Sequence, residues 1–252
     1  MIINRVWQHH FGRGIVGTPS DFGSQGEQPT HPELLDWLAT ELIRHNWRLK
    51  PLHKLMMISA AYRQGSAYNA VAAQLDPDNR LLWRFSPRGL ESEAIRDSML
   101  AVTGNLDERM FGPGTLDNGH RRRSIYFTIK RSKLNLMMVL FDGPDALQSQ
   151  GERTSTTVAP QALLIMNNPH VRSWARAFGK RIKPLDDKSL TSAVRNGYHA
   201  ALGRNPSEED LADSLRFLRR QIGAYARPEA LELALGDFCQ ALLSLNEFVL
   251  VN

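Results

Sequence analysis

Apolar side chains recur along this chain mostly three and four positions apart, the period of amphipathic helices, and one segment alone has the β-branched and aromatic composition of a strand. Ile2, Ile3, Val6 and Trp7 predict an opening helix with no capping residue before it, as in the interior of a longer protein. A glycine-rich loop follows over residues 12–26. Thr30 and Glu33 then have the spacing of a capping box, and Leu34, Leu35, Leu38, Leu42 and Ile43 give the next helix an apolar stripe that Asn46 ends. Residues 50–64 repeat the pattern with Leu52, Leu55, Met56 and Tyr62.

Asp76-Pro77-Asp78-Asn79 reads as a turn, and residues 91–103 as a helix whose acidic start suits the helix dipole. Gly112-Pro113-Gly114 breaks the chain before the strand candidate, residues 124–129, which is expected to pair with residues 248–251. The polar stretch 142–157, with Gly143, Pro144 and Gly151, reads as an interlobe linker or a binding loop. Helices are expected at 160–166, 169–181, 189–202 and 208–222. A last one carries Leu231, Leu235, Phe238, Leu242 and Leu245 on a buried face. The fold class expected is mainly α, an irregular multi-helix bundle with at most a small β-hairpin or short sheet. It forms one domain over 1–252, with two packed helical lobes at about 1–143 and 158–252 as the division that the polar loop allows.

With 252 residues, 42% of them apolar, the chain can build a sizeable core, which argues against intrinsic disorder. A net charge of +5 favours acidic partners, but 31 basic residues stand against 26 acidic ones, short of a nucleic-acid-coating excess. The N-terminus lacks the apolar core of a signal peptide, and no stretch approaches the ~20 apolar residues of a membrane span. Cys239 is the only cysteine, so no internal disulfide, zinc cluster or covalent Cys-x-x-Cys-His haem site can be built from this chain alone.

Gly12-Arg13-Gly14-Ile15-Val16-Gly17 matches a dinucleotide fingerprint by letter. A helix precedes it where a strand is required, so a tight loop is the better reading. His9, His10, His31 and His53 could join Asp21, Glu33 or Asp36 as metal ligands or an acid–base pair, yet no spacing supports it, and caps or structural hydrogen bonds explain them better. Arg121, Arg122, Arg123, Lys130, Arg131 and Lys133 surround the strand candidate, where Arg123 and Arg131 would share one face and Tyr126 would lie on the other; forked guanidinium groups there suit sulfate, carboxylate or phosphate. Ser155, Thr156 and Thr157 lack a nucleophile elbow and read as caps of the helix at 160, and Asp76 and Asp78 lack the remaining ligands of a calcium loop.

Asn4-Arg-Val-Trp-Gln-His-His-Phe-Gly-Arg-Gly14, His31-Pro-Glu-Leu-Leu-Asp-Trp-Leu-Ala39 and Ser59-Ala-Ala-Tyr-Arg-Gln64 occur in order. Asp76-Pro-Asp-Asn-Arg-Leu-Leu-Trp-Arg84, Glu93-Ala-Ile-Arg-Asp97, Arg122-Arg-Ser-Ile-Tyr126, Leu140-Phe-Asp-Gly-Pro-Asp145, Thr157-Val-Ala-Pro-Gln-Ala-Leu163 and Leu245-Asn-Glu-Phe248 follow. Together they resemble the planctomycete domain of unknown function numbered fifteen fifty-three, over Asn4 to about Val251. The resemblance brings no established catalytic residues. It implies a C-terminal domain of large exported, periplasmic or secreted proteins, commonly preceded by a second domain of unknown function and a cytochrome c-like domain. Haem c would belong to that neighbouring domain, and no cofactor to this chain. The matching motifs, Asn4, Arg5, His10 and Asp142 among them, either mark a binding cleft or form a buried polar network.

These readings lead to a helical interaction or substrate-binding module of a larger exported bacterial protein. Its partners are the parent's other domains and acidic or sulfated polysaccharide, and the binding candidates are Arg123, Tyr126, Arg131, Asp142, Asn4, Arg5 and His10. The alternative is an enzyme acting on sulfated or acidic carbohydrate through a basic anion-binding cleft.

Overall fold

A computed structural model describes residues 1–144, 151–153, 156–184 and 189–251. The chain divides into two compact units, the first built from Met1–Arg88 and the second from the described residues of Gly89–Leu250 apart from 151–152. Among the described residues, thirteen α-helical segments stand beside two two-residue strands, so the fold is mainly α.

The first unit holds α1 (Ile2–Phe11), α2 (Pro32–Arg44), α3 (Leu49–Ile58), α4 (Ala60–Arg63) and α5 (Ala70–Leu75). Its core is made by Ile3, Val6, Trp7 and Phe11 of α1 against Ile15, Leu38, Leu42, Leu52 and Met56. Two residues of the expected stripes, Ile2 and Ile43, face outward instead. The turn after α1 is fixed by Asn4, which is fully buried. Its Nδ2 donates to Val16 O at 2.9 Å and its Oδ1 accepts from Val16 N–H at 2.8 Å. Gly14 lies so close beneath that amide that a Cβ would stand 2.5 Å from Asn4 Nδ2, so close approach explains this glycine of the fingerprint-like stretch.

Two local expectations are corrected here. His31 occupies the N-cap of α2 without a side-chain cap, because the Thr30 hydroxyl turns back to Ile15 O at 3.2 Å and no capping box forms. Residues 50–64 are two helices, since Ser59 adopts ψ 152° and its hydroxyl accepts from Tyr62 N–H, ending α3 and capping α4. The end of α2 is as expected: Asn46 and Trp47 both take left-handed φ, 51° and 60°.

The second unit holds α6 (Ser92–Val102), α7 (Leu136–Leu140), α8 (Ala159–Asn167), α9 (Pro169–Ile182), α10 (Leu190–Leu202), α11 (Glu208–Tyr225), α12 (Ala230–Leu243) and α13 (Asn246–Val249). Helix α12 buries Ala234, Leu235, Phe238, Cys239, Leu242 and Leu243 and is the central helix of this core. Leu235, Phe238 and Leu242 are buried as the spacing predicts, whereas Leu245 lies beyond the helix and is 38% exposed. Helices α9 and α12 cross where Gly179 meets Gly236; a Cβ on Gly179 would stand 2.9 Å from Gly236 N, so the backbones are in contact.

The strand expected at residues 124–129 does not form. Asp97 accepts from both the N–H and the hydroxyl of Ser124 at 2.7 Å, and Ser124–Tyr126 closes into a single 3-10 turn. The C-terminal strand, β2 (Leu250–Val251), pairs with β1 (Arg88–Gly89) instead. Of the polar stretch 142–157, residues 145–150 and 154–155, including Asp145 and Ser155, lie outside the described residues. Thr156 does not cap α8, because its N–H and hydroxyl both donate to Asp142. Val158 takes the N-cap position, and its N–H donates to Gln161 Oε1 at 3.3 Å.

Candidate functional site

The organising residue of the candidate site is one that periodicity hides. Arg96 lies four positions after Ser92 and three and four before Met99 and Leu100, so the four share a face of α6, and Arg96 points into the core and is 1% exposed. Its guanidinium donates to His120 O, to Arg122 O at 3.1 Å and to Ser124 Oγ at 3.2 Å, and lies over the rings of Phe127 and Trp174. Asp97, the next residue, holds Ser124 and lies 3.8 Å from both Arg96 and Arg123. Burial lowers the Arg96 pKa to about 10, against the opposing pull of Asp97 and Asp117, which leaves the side chain charged at neutral pH. Three acceptors and two ring faces offset the cost of enclosing that charge.

Because the carbonyls of His120 and Arg122 are turned to Arg96, the intervening side chains divide. Arg122 reaches across to Phe111 O, to Pro113 O at 3.1 Å and to Arg109 O at 3.4 Å, with its guanidinium 3.5 Å from the Tyr126 ring centroid. Arg121 and Arg123 are left exposed. Further braces bind neighbouring strips into one irregular layer: Asp107 N–H donates to Arg121 O, Thr115 N–H to Tyr126 O, Thr128 N–H to Thr115 O, and Asn135 Nδ2 to Asn118 Oδ1. Lys130, Arg131 and Lys133 lie at an exposed turn closed by Lys133 N–H donating to Lys130 O.

Residues 105–141 carry seven basic and three acidic side chains, and so hold four of the chain's five net positive charges. Among the described residues, the ion pair of Arg109 with Asp107 at 2.6 Å occupies one of these cations, while Arg123 only approaches Asp97, at 3.8 Å, and stays exposed. Arg121, Lys130, Arg131 and Lys133 make no ion pair among the described residues and are exposed. His120, beside Arg96, has both ring nitrogens enclosed, and burial together with the Arg96 charge holds its pKa below the ordinary value.

The sequence-predicted candidates separate by role. Arg123 and Arg131 are both exposed in this basic layer, though not as neighbours on one strand face, because the strand is replaced by the 3-10 turn. Tyr126 is a brace: its Oη accepts from Phe111 N–H at 2.5 Å under the Arg122 guanidinium. Asp142, at φ 56°, spends its carboxylate on Thr156. In the first unit, Asn4 is the loop clamp and Arg5 is exposed. His10 Nε2 shares a hydrogen bond of 2.8 Å with His53 Nδ1, and burial, His53, Arg88 and His9 depress its pKa. A cavity of about 50 Å³ beside Trp7, Arg13, Thr30 and Asn79 is the size of a water site. Asp76 accepts from the N–H groups of Arg80 and Leu81, which accounts for it as a turn residue. Among the described residues, no group of three or more His, Cys, Asp or Glu side chains is placed to hold a metal ion.

Sequence reasoning found the basic run but missed Arg96 and Asp97, whose signal is a charged residue in register with the apolar face of α6. No curated protein and no solved structure matches the chain. The model of one family, described as protein of unknown function (DUF1553), matches residues 1–218. That match spans well over half of the chain, which therefore belongs to the DUF1553 family.

Proposed function

We propose that this chain is an interaction module whose second unit presents an anion-binding surface, formed by Arg121, Arg123, Lys130, Arg131 and Lys133. The observation that carries the reading is the division of the arginine run: Arg122 is consumed inside the layer while its two neighbours are held outward by the buried Arg96. A rigid frame that exposes several cations loses little side-chain and loop freedom on meeting a polyanion, which favours binding. Acidic or sulfated polysaccharide is the polymer class used to probe it, and the family resemblance supports placing the module in a longer exported protein. For the alternative, an enzyme acting on such a polymer, the acidic residue expected to take part, Asp142, accepts hydrogen bonds from Thr156.

The test is retention on a sulfated-polysaccharide column at low salt. Arg123→Ala with Arg131→Ala is expected to weaken retention and leave the thermal midpoint nearly unchanged, since the single ion pair lost is long, 3.8 Å, exposed on the arginine side, and leaves Asp97 its bonds from Ser124. Unaltered retention, or a double variant that unfolds, overturns the surface reading.

A further inference from the structure

The basic layer also carries most of the large apolar side chains that the second unit exposes among the described residues. Phe111 is 81% exposed, Ile125 70%, Ile129 64%, Leu136 63% and Leu134 52%, interleaved in sequence with the open cations. A soluble polyanion would satisfy the charges and leave these side chains in water. The frame gives them no way inward. Ile125 sits between Ser124, buried on Asp97, and Tyr126, pinned beneath Arg122, so the turn that fixes its neighbours holds it out. Phe111 is held through both of its backbone polar groups, its N–H on Tyr126 Oη and its carbonyl on Arg122, at φ 65°. An aromatic residue in left-handed backbone is strained, and here the strain secures no burial for the ring within the unit.

From this pairing of outward cations with outward aliphatic and aromatic groups, and resting on the anion-binding reading above, we infer that the layer docks on an anionic lipid surface. Arg121, Arg123, Lys130 and Arg131 meet the headgroup phosphates, while Phe111 and Ile125 enter the boundary between headgroups and acyl chains. Both components of interfacial binding are then supplied by one element, apolar burial and attraction to anionic lipid. The contact proposed is peripheral, made by exposed side chains at the headgroup level; no helix among the described residues is long and apolar enough to cross a membrane.

Co-sedimentation of the chain with vesicles of phosphatidylcholine alone, and of phosphatidylcholine mixed with phosphatidylglycerol, tests the inference beside binding to dextran sulfate. The chain is expected on the mixed vesicles and not on phosphatidylcholine alone. Phe111→Asn with Ile125→Gln is expected to lower vesicle binding about tenfold and leave dextran sulfate binding unchanged. Asn tolerates left-handed φ and both positions are exposed, so this variant keeps its fold. Binding to dextran sulfate but not to mixed vesicles refutes the lipid partner and leaves the anion-binding reading standing. Binding to neither refutes both, and vesicle binding indifferent to the two substitutions refutes insertion.

Discussion

Replacing Arg96 by methionine keeps the volume and the apolar stem but removes the fork that three acceptors share. His120 O, Arg122 O and Ser124 Oγ lose this donor, and Asp97 keeps its charge without the guanidinium 3.8 Å away. A buried acceptor left without a donor costs ~1–3 kcal/mol, and breaking one side of a buried pair ~3–5 kcal/mol. These overlap, because Asp97 retains its bonds from Ser124 and the turn can admit water, so Arg96→Met is expected to lower unfolding free energy by about 3–5 kcal/mol. Arg96→Lys keeps the charge but cannot span three acceptors, and an intermediate loss of about 1–3 kcal/mol is expected. Urea denaturation of both variants at neutral pH measures this. A second readout follows from the geometry: Arg96→Met should weaken retention on a sulfated matrix although every exposed cation is intact, because Arg121 and Arg123 are no longer held outward. A methionine variant within about 1 kcal/mol of the parent, with full retention, would refute the claim that Arg96 organises the layer.

The central helix gives a paired prediction: Leu242→Ala should cost ~2–5 kcal/mol in chemical denaturation, and Leu245→Ala, at 38% exposure, distinctly less. Gly179→Ala decides between two effects of opposite sign. Helix propensity alone favours alanine by ~1 kcal/mol, whereas contact with Gly236 at 2.9 Å makes the added methyl destabilising by ~1–3 kcal/mol, so a raised melting point would contradict the observed crossing. Acid should weaken the fold. The depressed pKa values of His10 and His120 mean that the unfolded chain takes up protons first, so stability is full above about 6.5, falls as the pH drops below it, and levels off below the lowered folded values. His10→Gln should shrink that loss in melting scans between neutral and mildly acidic pH, and an unchanged profile would exclude the His10–His53 pair as a contributor.

The helical class and most helices were legible because one-sided burial imposes its period on the sequence, as Leu235, Phe238 and Leu242 show. What stayed hidden depended on contacts between distant residues. The β-branched and aromatic run 124–129 predicts a strand by composition, but two bonds that Ser124 donates to Asp97 outweigh that preference. Ser59 ends one helix and caps the next by the same local competition of a hydroxyl for backbone groups. Of the site, the exposed basic residues were visible as a charge run. The roles of Arg122, Tyr126 and Asp142 were not, because their partners Phe111, Pro113 and Thr156 are distant in sequence or in irregular backbone. For Asn4, the reading of its motif as a buried polar network describes what its side chain does.

The central claim is that five outward cations on a braced frame make this chain a receptor for polyanions. Its most direct test is the affinity for dextran sulfate of fixed length, measured at several salt concentrations for the parent chain and for a variant with Arg121, Arg123, Lys130, Arg131 and Lys133 all changed to alanine. Exposed charge contacts are worth ~0.2–1 kcal/mol each, so losing five weakens binding about fivefold or more and flattens its salt dependence, with the unfolding midpoint unmoved. Equal affinity and equal salt dependence in the two proteins would contradict it.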